Sequence, residues 1–142
     1  MSGWSHTSKS TLEQIQEHLI ENGFITTWST TDESNFGNQS RKMTKSGDLI
    51  ELISDRGQTF LNFHARSLDF PVIAHEALAL VGGNFQGKSA DAIAAESATR
   101  SQEIFTLLNR RPTKALIEDL ELIRKSRARS IFGKASADGS AE

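Results

Sequence analysis

Apolar positions recur along this chain with two different periods. Leu12, Ile15, Leu19 and Ile20 fall on one side of a 3.6-residue helix, and Ser10 with Glu13 supplies the S-x-x-E capping box that opens one. The spacing predicts a helix over about residues 11–22, ended by Gly23 in a left-handed conformation. Phe24 to Thr30, FITTWST, then switches to the aromatic and β-branched content of a strand, and the polar stretch TDESNFGNQ reads as a loop. Three further strand-like runs follow, SRKMTK, LIELIS and TFLNFHAR. Lys45-Ser46-Gly47-Asp48 and Asp55-Arg56-Gly57-Gln58 separate them as tight turns. The pattern predicts an antiparallel meander of about four strands.

Beyond Pro71 the period is ambiguous. Val72 to Val81, VIAHEALALV, is a helix ended by Gly82-Gly83 or a further strand, with alanine and glutamate content favouring the helix. After Ser89 the reading is helical: Ile93, Ala94, Ser97, Ile104, Phe105 and Leu108 mark one run over residues 90–109. Pro112 sits where a new helix begins, with Leu116, Leu120 and Ile123 on one of its faces. A helix, then strands, then two or three helices predicts an α+β domain whose antiparallel sheet is covered on one face by the C-terminal helices. One globular domain is expected over residues 1–132, with the small polar end at 133–142 disordered.

Composition narrows the class. The chain has 142 residues, is 37% hydrophobic and 24% charged, and has a net charge of -2, enough to bury a genuine core. Cysteine is absent, so neither a disulfide framework nor a thiolate metal site is available, which points to a reducing, cytoplasmic setting. MSGWSHTSKST lacks the apolar centre of a signal peptide, and no run approaches the roughly 20 apolar residues that span a bilayer, so no membrane partner is expected. The charge is unevenly placed. Residues 1–110 carry nine Lys/Arg against thirteen Asp/Glu, a balance of -4, whereas residues 111–142 carry seven against five, a balance of +2.

The most explicit motif is Gly82, Gly87, Lys88 and Ser89, which match the phosphate-cradling G-x-x-x-x-G-K-[ST] pattern. A working P-loop needs a buried parallel strand that delivers the loop to a helix N-terminus. AHEALAL upstream favours helix, and no later segment supplies a parallel neighbour, so the competing account is a helix stop at Gly82-Gly83 followed by a serine cap. His6, His18, His64 and His75 form no H-x-x-x-H or H-E-x-x-H pair, and Ser46, Ser54 and Ser67 have no nucleophile elbow; neither a metal site nor a catalytic residue is expected. Asp55-Arg56-Gly57 is simplest as a turn. The basic run Arg124 to Arg129 is either a nucleic-acid site or a helix end stabilised by its dipole, and the shortage of interleaved aromatics favours the helix end.

The run Glu51 to Phe60, ELISDRGQTF, followed by Asp69-Phe70 and an apolar helix, resembles small bacterial immunity proteins that neutralise toxins of polymorphic or contact-dependent systems. That resemblance implies a cytoplasmic, non-enzymatic binder without cofactor. Its partner is a cognate protein toxin, with a basic nuclease one candidate. Nuclease toxins are basic because they hold phosphates, and an acidic inhibitor surface steers such a partner. The loop-like acids Asp32, Glu33, Asp48, Asp55 and Asp69, together with Arg56, are the expected contact residues. Trp28 and Phe36 are the expected aromatic anchors.

Overall fold

The computed structural model describes residues 9–32 and 38–136, without the side chains of Asp32 and of residues 128–136. In chain order the elements are α1 (Thr11–Glu21), β1 (Ile25–Asp32), β2 (Asn38–Lys45), β3 (Asp48–Asp55), β4 (Gln58–His64), β5 (Val72–Ile73), α2 (Ala74–Leu80), α3 (Ala90–Thr99), α4 (Ser101–Arg110) and α5 (Thr113–Ser136). The class is α+β, as the pattern predicts. All strands pair antiparallel in the order β1-β2-β3-β4-β5. The chain forms two compact units, Met1–Arg110 and Arg111–Glu142, and the division coincides with the change of sign in the charge balance.

Local chemistry sets the boundaries. The capping box at the start of α1 is complete, with the Ser10 hydroxyl accepting from the Glu13 N–H and the Glu13 carboxylate accepting from the Ser10 N–H. At its other end Gly23 takes φ +97°, the Gly23 N–H donates to the Ile20 carbonyl and the Phe24 N–H to the Leu19 carbonyl, both at 3.0 Å. This is a Schellman motif, and the buried Phe24 and Leu19 supply its usual apolar contact. The β2–β3 and β3–β4 hairpins use two-residue loops with positive φ at each position, Ser46 (55°) with Gly47 (87°) and Arg56 (54°) with Gly57 (83°). These are type I′ turns, whose twist matches that of the flanking strands.

The sheet's inner face carries the core. Register places Met43 with Ile50, Leu52 with Leu61, and Ile50 and Val72 both with Phe63, so all six share one side. None is more than 1% exposed. Burial of such side chains stabilises the fold by roughly 1.5–3 kcal/mol each relative to exposure. α1 contributes Leu12, Ile15 and Leu19 to this core, and α4 contributes Ile104, Phe105 and Leu108. The Phe105 ring meets Phe63 edge-on at 5.5 Å between centroids. α3 is tied in by Asp91, whose carboxylate accepts from the Thr59 N–H at 2.7 Å and from the Thr11 hydroxyl at 3.0 Å.

Several expectations change. Ile20, assigned to the apolar stripe of α1, is 51% exposed. The ambiguous Val72–Val81 segment is both things in turn, two residues of edge strand and then a helix. The single helix expected over residues 90–109 is broken at Arg100, where φ -107° and ψ 18° leave the helical region. The Arg100 guanidinium donates there to the Val81 carbonyl and to both carboxylate oxygens of Glu103, an anchor that an uninterrupted helix lacks. At the C-terminus α5 continues to Ser136, so residues 133–136 are helical instead of disordered; residues 137–142 lie outside the described residues. Among the described residues, no helix is long and apolar enough to cross a membrane.

Candidate functional site

The two Gly-rich candidates for chemistry resolve into backbone geometry. Gly82 takes φ +81° and its N–H donates to the Ala79 carbonyl at 3.0 Å, while the Gly83 N–H donates to the Leu78 carbonyl at 2.8 Å. This is a second Schellman motif, ending α2. A Cβ on Gly83 would stand 2.5 Å from the Leu78 side chain, which accounts for the second glycine. Ser89 caps α3 by accepting from the Ala92 N–H at 3.1 Å, and Lys88 pairs with Glu96. A helix therefore enters the segment where a phosphate-binding loop needs a parallel strand. Asp55-Arg56-Gly57 is a turn, latched from outside by Asn38: its amide donates to Asp55 at 3.1 Å and its carbonyl oxygen accepts from the Arg56 N–H at 2.9 Å.

The sheet's outer face is the exceptional surface. Cross-strand register puts Ile25, Trp28 and Thr30 of β1 on the same side as Thr44, Lys42 and Ser40 of β2. The same side continues through Leu49, Glu51 and Ile53 of β3, then Phe60, Asn62 and His64 of β4, and ends at Ile73 of β5. Ile25 is 66% exposed, Trp28 46%, Phe60 40% and Ile73 38%. These are four of the seven large apolar side chains exposed among the described residues, and all four lie on this face.

A backbone irregularity brings Trp28 to this face. In a regular strand, residues three apart point to opposite faces, so Ile25 and Trp28 would diverge. The β1–β2 register shifts between Thr26 and Trp28, leaving Thr27 as the extra residue of a bulge. The Thr27 hydroxyl donates to the Lys42 carbonyl at 3.2 Å, which fixes the irregularity. Beyond the bulge Trp28 stands on the side of Ile25, with the Lys42 ammonium 5.1 Å from the centre of its ring. The opposite side of β1 carries Thr26, Ser29 and Thr31, all exposed. The strand is thus amphipathic in the reverse sense, with its apolar residues turned away from the helices.

Polar groups punctuate the patch and are matched to one another. Glu51 accepts from the Asn62 amide at 3.2 Å and lies 3.6 Å from the His64 imidazole. Exposed apolar area broken by satisfied polar groups is the composition of a protein-binding surface. Among the described residues, no group of three His, Cys, Asp or Glu is arranged to hold a metal ion.

The expected contact residues distribute unevenly. Trp28 stands on the outer face at the β1 edge of the sheet; Asp32, paired in register with Asn38, and the exposed Asp55 and Arg56 lie together at one end of the strands. Asp69 is exposed on the connection between β4 and β5. Asp48 departs from the expectation of a surface acid. It is 6% exposed and accepts from the Arg66 N–H at 2.8 Å, the Arg66 guanidinium at 2.9 Å and the Asn109 amide at 3.1 Å, so it fastens the β2–β3 hairpin to α4. Glu33 and Phe36 lie outside the described residues. The residues that sequence reasoning missed are Ile25, Phe60 and Ile73; the apolar residues at both parities of LIELIS and TFLNF were the available signal. Comparison of the chain with protein-family models, with curated proteins and with solved structures finds no match.

Proposed function

We propose that the protein is an immunity-type binding protein that neutralises a cognate protein toxin by direct contact through the outer face of its sheet. The observation that carries the reading is the set of exposed aromatic and aliphatic side chains Ile25, Trp28, Phe60 and Ile73 on the face that α1 to α4 leave uncovered, with Trp28 brought to that face by the Thr27 bulge. Rigid aromatic side chains on a pleated sheet lose little conformational entropy on binding and dominate interface energetics. The acidic balance of residues 1–110 suits a basic partner such as a nuclease toxin, through faster association and discrimination against acidic proteins. No chemistry is assigned to the protein itself; inhibition follows from occlusion or from locking the toxin's conformation.

The test pairs the protein with the toxin-like product of a neighbouring reading frame. Co-expression of the wild-type chain is expected to protect cells. The Trp28→Ala/Phe60→Ala double variant is expected to lose protection and at least about ten-fold in affinity, since hot-spot truncations cost 2 kcal/mol or more. Lys88→Ala, remote from the patch in sequence and occupied by Glu96, is expected to protect like wild type. Full protection by the double variant, or no toxin-like frame beside the gene, refutes the reading.

A further inference from the structure

A second feature stands apart from the outer face. Where the β2–β3 turn meets α4, a cleft of about 340 Å³ opens to solvent. Its floor is aromatic: Phe24 and Phe105 are 6% and 5% exposed, with ring centroids 6.2 Å apart. Lys45, Arg66 and Arg110 line it as well. They are three of the nine Lys/Arg in residues 1–110, where acids outnumber bases by four. Cations converge here in a unit that is otherwise acidic.

The one acid in the cleft is already engaged. Both Asp48 oxygens accept hydrogen bonds from Arg66 and Asn109. The cationic donors, in contrast, are far from exhausted. Asp48 accepts from a single nitrogen of the Arg66 guanidinium. Lys45 donates to the Asn22 carbonyl at 2.7 Å and rests 5.8 Å from the centre of the Phe24 ring, leaving two of its three N–H groups. Arg110 has no hydrogen bond or ion pair among the described residues. The hydroxyls of Ser46 and Thr106 border the same space. Three cations against one acid leave a local charge of +2.

We propose that this cleft is a binding site for a small, doubly charged oxyanion, a phosphoryl or dicarboxylate group held by Lys45, Arg66 and Arg110. A dianion neutralises the local charge, and arginine forks match the geometry of phosphate and carboxylate oxygens. The volume lies at the small end of ligand pockets, which fits a compact anion with a short apolar portion over Phe24 and Phe105 and excludes a dinucleotide. The site is separate from the proposed toxin contact: Lys45 and Asp48 pair with each other on the inner side of the sheet, whereas Trp28 and Phe60 are on the outer side.

The test is an amide chemical-shift titration of the full chain with inorganic phosphate, malonate and acetate, at ionic strength held constant with sodium chloride. Phosphate or malonate is expected to give saturable shifts confined to Ser46, Arg66, Thr106 and their neighbours; which of the two binds tighter decides between a phosphoryl and a dicarboxylate ligand. Acetate is expected to bind at least about ten-fold more weakly, and Arg110→Gln to weaken the dianion by about ten-fold or more, the scale of one lost charge-assisted hydrogen bond. Arg110 is exposed and without a partner among the described residues, so this variant is expected to keep the wild-type melting temperature. Lys88→Gln, whose cation lies outside the cleft, is the control for general electrostatics. Absence of saturation with both dianions overturns the proposal, as does equal weakening by Arg110→Gln and Lys88→Gln. Either result leaves the toxin-binding reading standing, because no residue of the outer face takes part.

Discussion

The two faces of the sheet carry the same number of large apolar side chains and meet opposite fates. Met43, Ile50, Leu52, Leu61, Phe63 and Val72 on the inner face are all within 1% of complete burial. Ile25, Trp28, Leu49, Ile53, Phe60 and Ile73 share the outer face, and four of them are between 38% and 66% exposed. An antiparallel sheet with one solvated face ordinarily alternates apolar with polar residues. β3 and β4 do not, and β1 places its apolar pair only on the uncovered side. Stability of the first unit explains the inner set. The outer set needs another explanation, and the binding partner proposed above would supply one.

The comparison is broken most easily at Phe60 and Phe63, which lie three positions apart on one strand and so differ in parity. Phe63→Ala is expected to cost about 3–5 kcal/mol, the range for large-to-small changes in a closed core. Phe60→Ala, at a position 40% exposed, is expected to cost no more than about 1 kcal/mol. Urea unfolding of the two variants measures both. Equal losses would make the outer face part of the core and remove the argument for a docking surface.

A second contrast concerns the two acids that flank the hairpin loops. Asp48→Ala leaves the Arg66 N–H and the Asn109 amide without their acceptor at a part-buried position, and is expected to destabilise by about 1–2 kcal/mol. Asp55→Ala removes one exposed hydrogen bond from Asn38 and is expected to cost about 0.5 kcal/mol or less. Thermal unfolding distinguishes them. If Asp55 is the costlier of the two, the S-D-R-G turn has a structural role that its geometry does not reveal.

Local grammar was the legible part of this sequence. Ser10-x-x-Glu13, Gly23, the two turn quartets, the Gly82-Gly83 stop and the Ser89 cap all act through backbone groups a few residues away, so their meaning survives without tertiary knowledge. The fold class followed from their order. The side that Trp28 takes was not legible, because it rests on the Thr27 bulge: one extra residue reverses its parity, and nothing in ITTWSTTD marks which residue is left out of the ladder. Asp48 was misjudged for a related reason. Its place beside Gly47 suggests exposure, but Arg66 and Asn109 reach it from 18 and 61 positions further along the chain. The break at Arg100 was hidden too, and the carbonyl that its guanidinium meets there lies 19 residues earlier.

The smallest expected effect tests that break. The Arg100 guanidinium hydrogen-bonds Glu103 and thereby holds its carboxyl below the usual value of 4.5, while the same bond raises Arg100 above its own. A carboxyl with a lowered value in the folded state contributes stability that is fully present above its unfolded value and is lost as the pH falls through the folded one. Arg100 stays charged throughout, so the window belongs to Glu103 alone. Because the pair is solvent-screened, its contribution is small and shrinks further with salt. The melting temperature of Glu103→Gln is therefore expected to fall slightly below wild type at neutral pH and to converge with it on acidification below the ordinary carboxylate range. A gap that widens on acidification would mean that protonated Glu103 is the better partner at this junction.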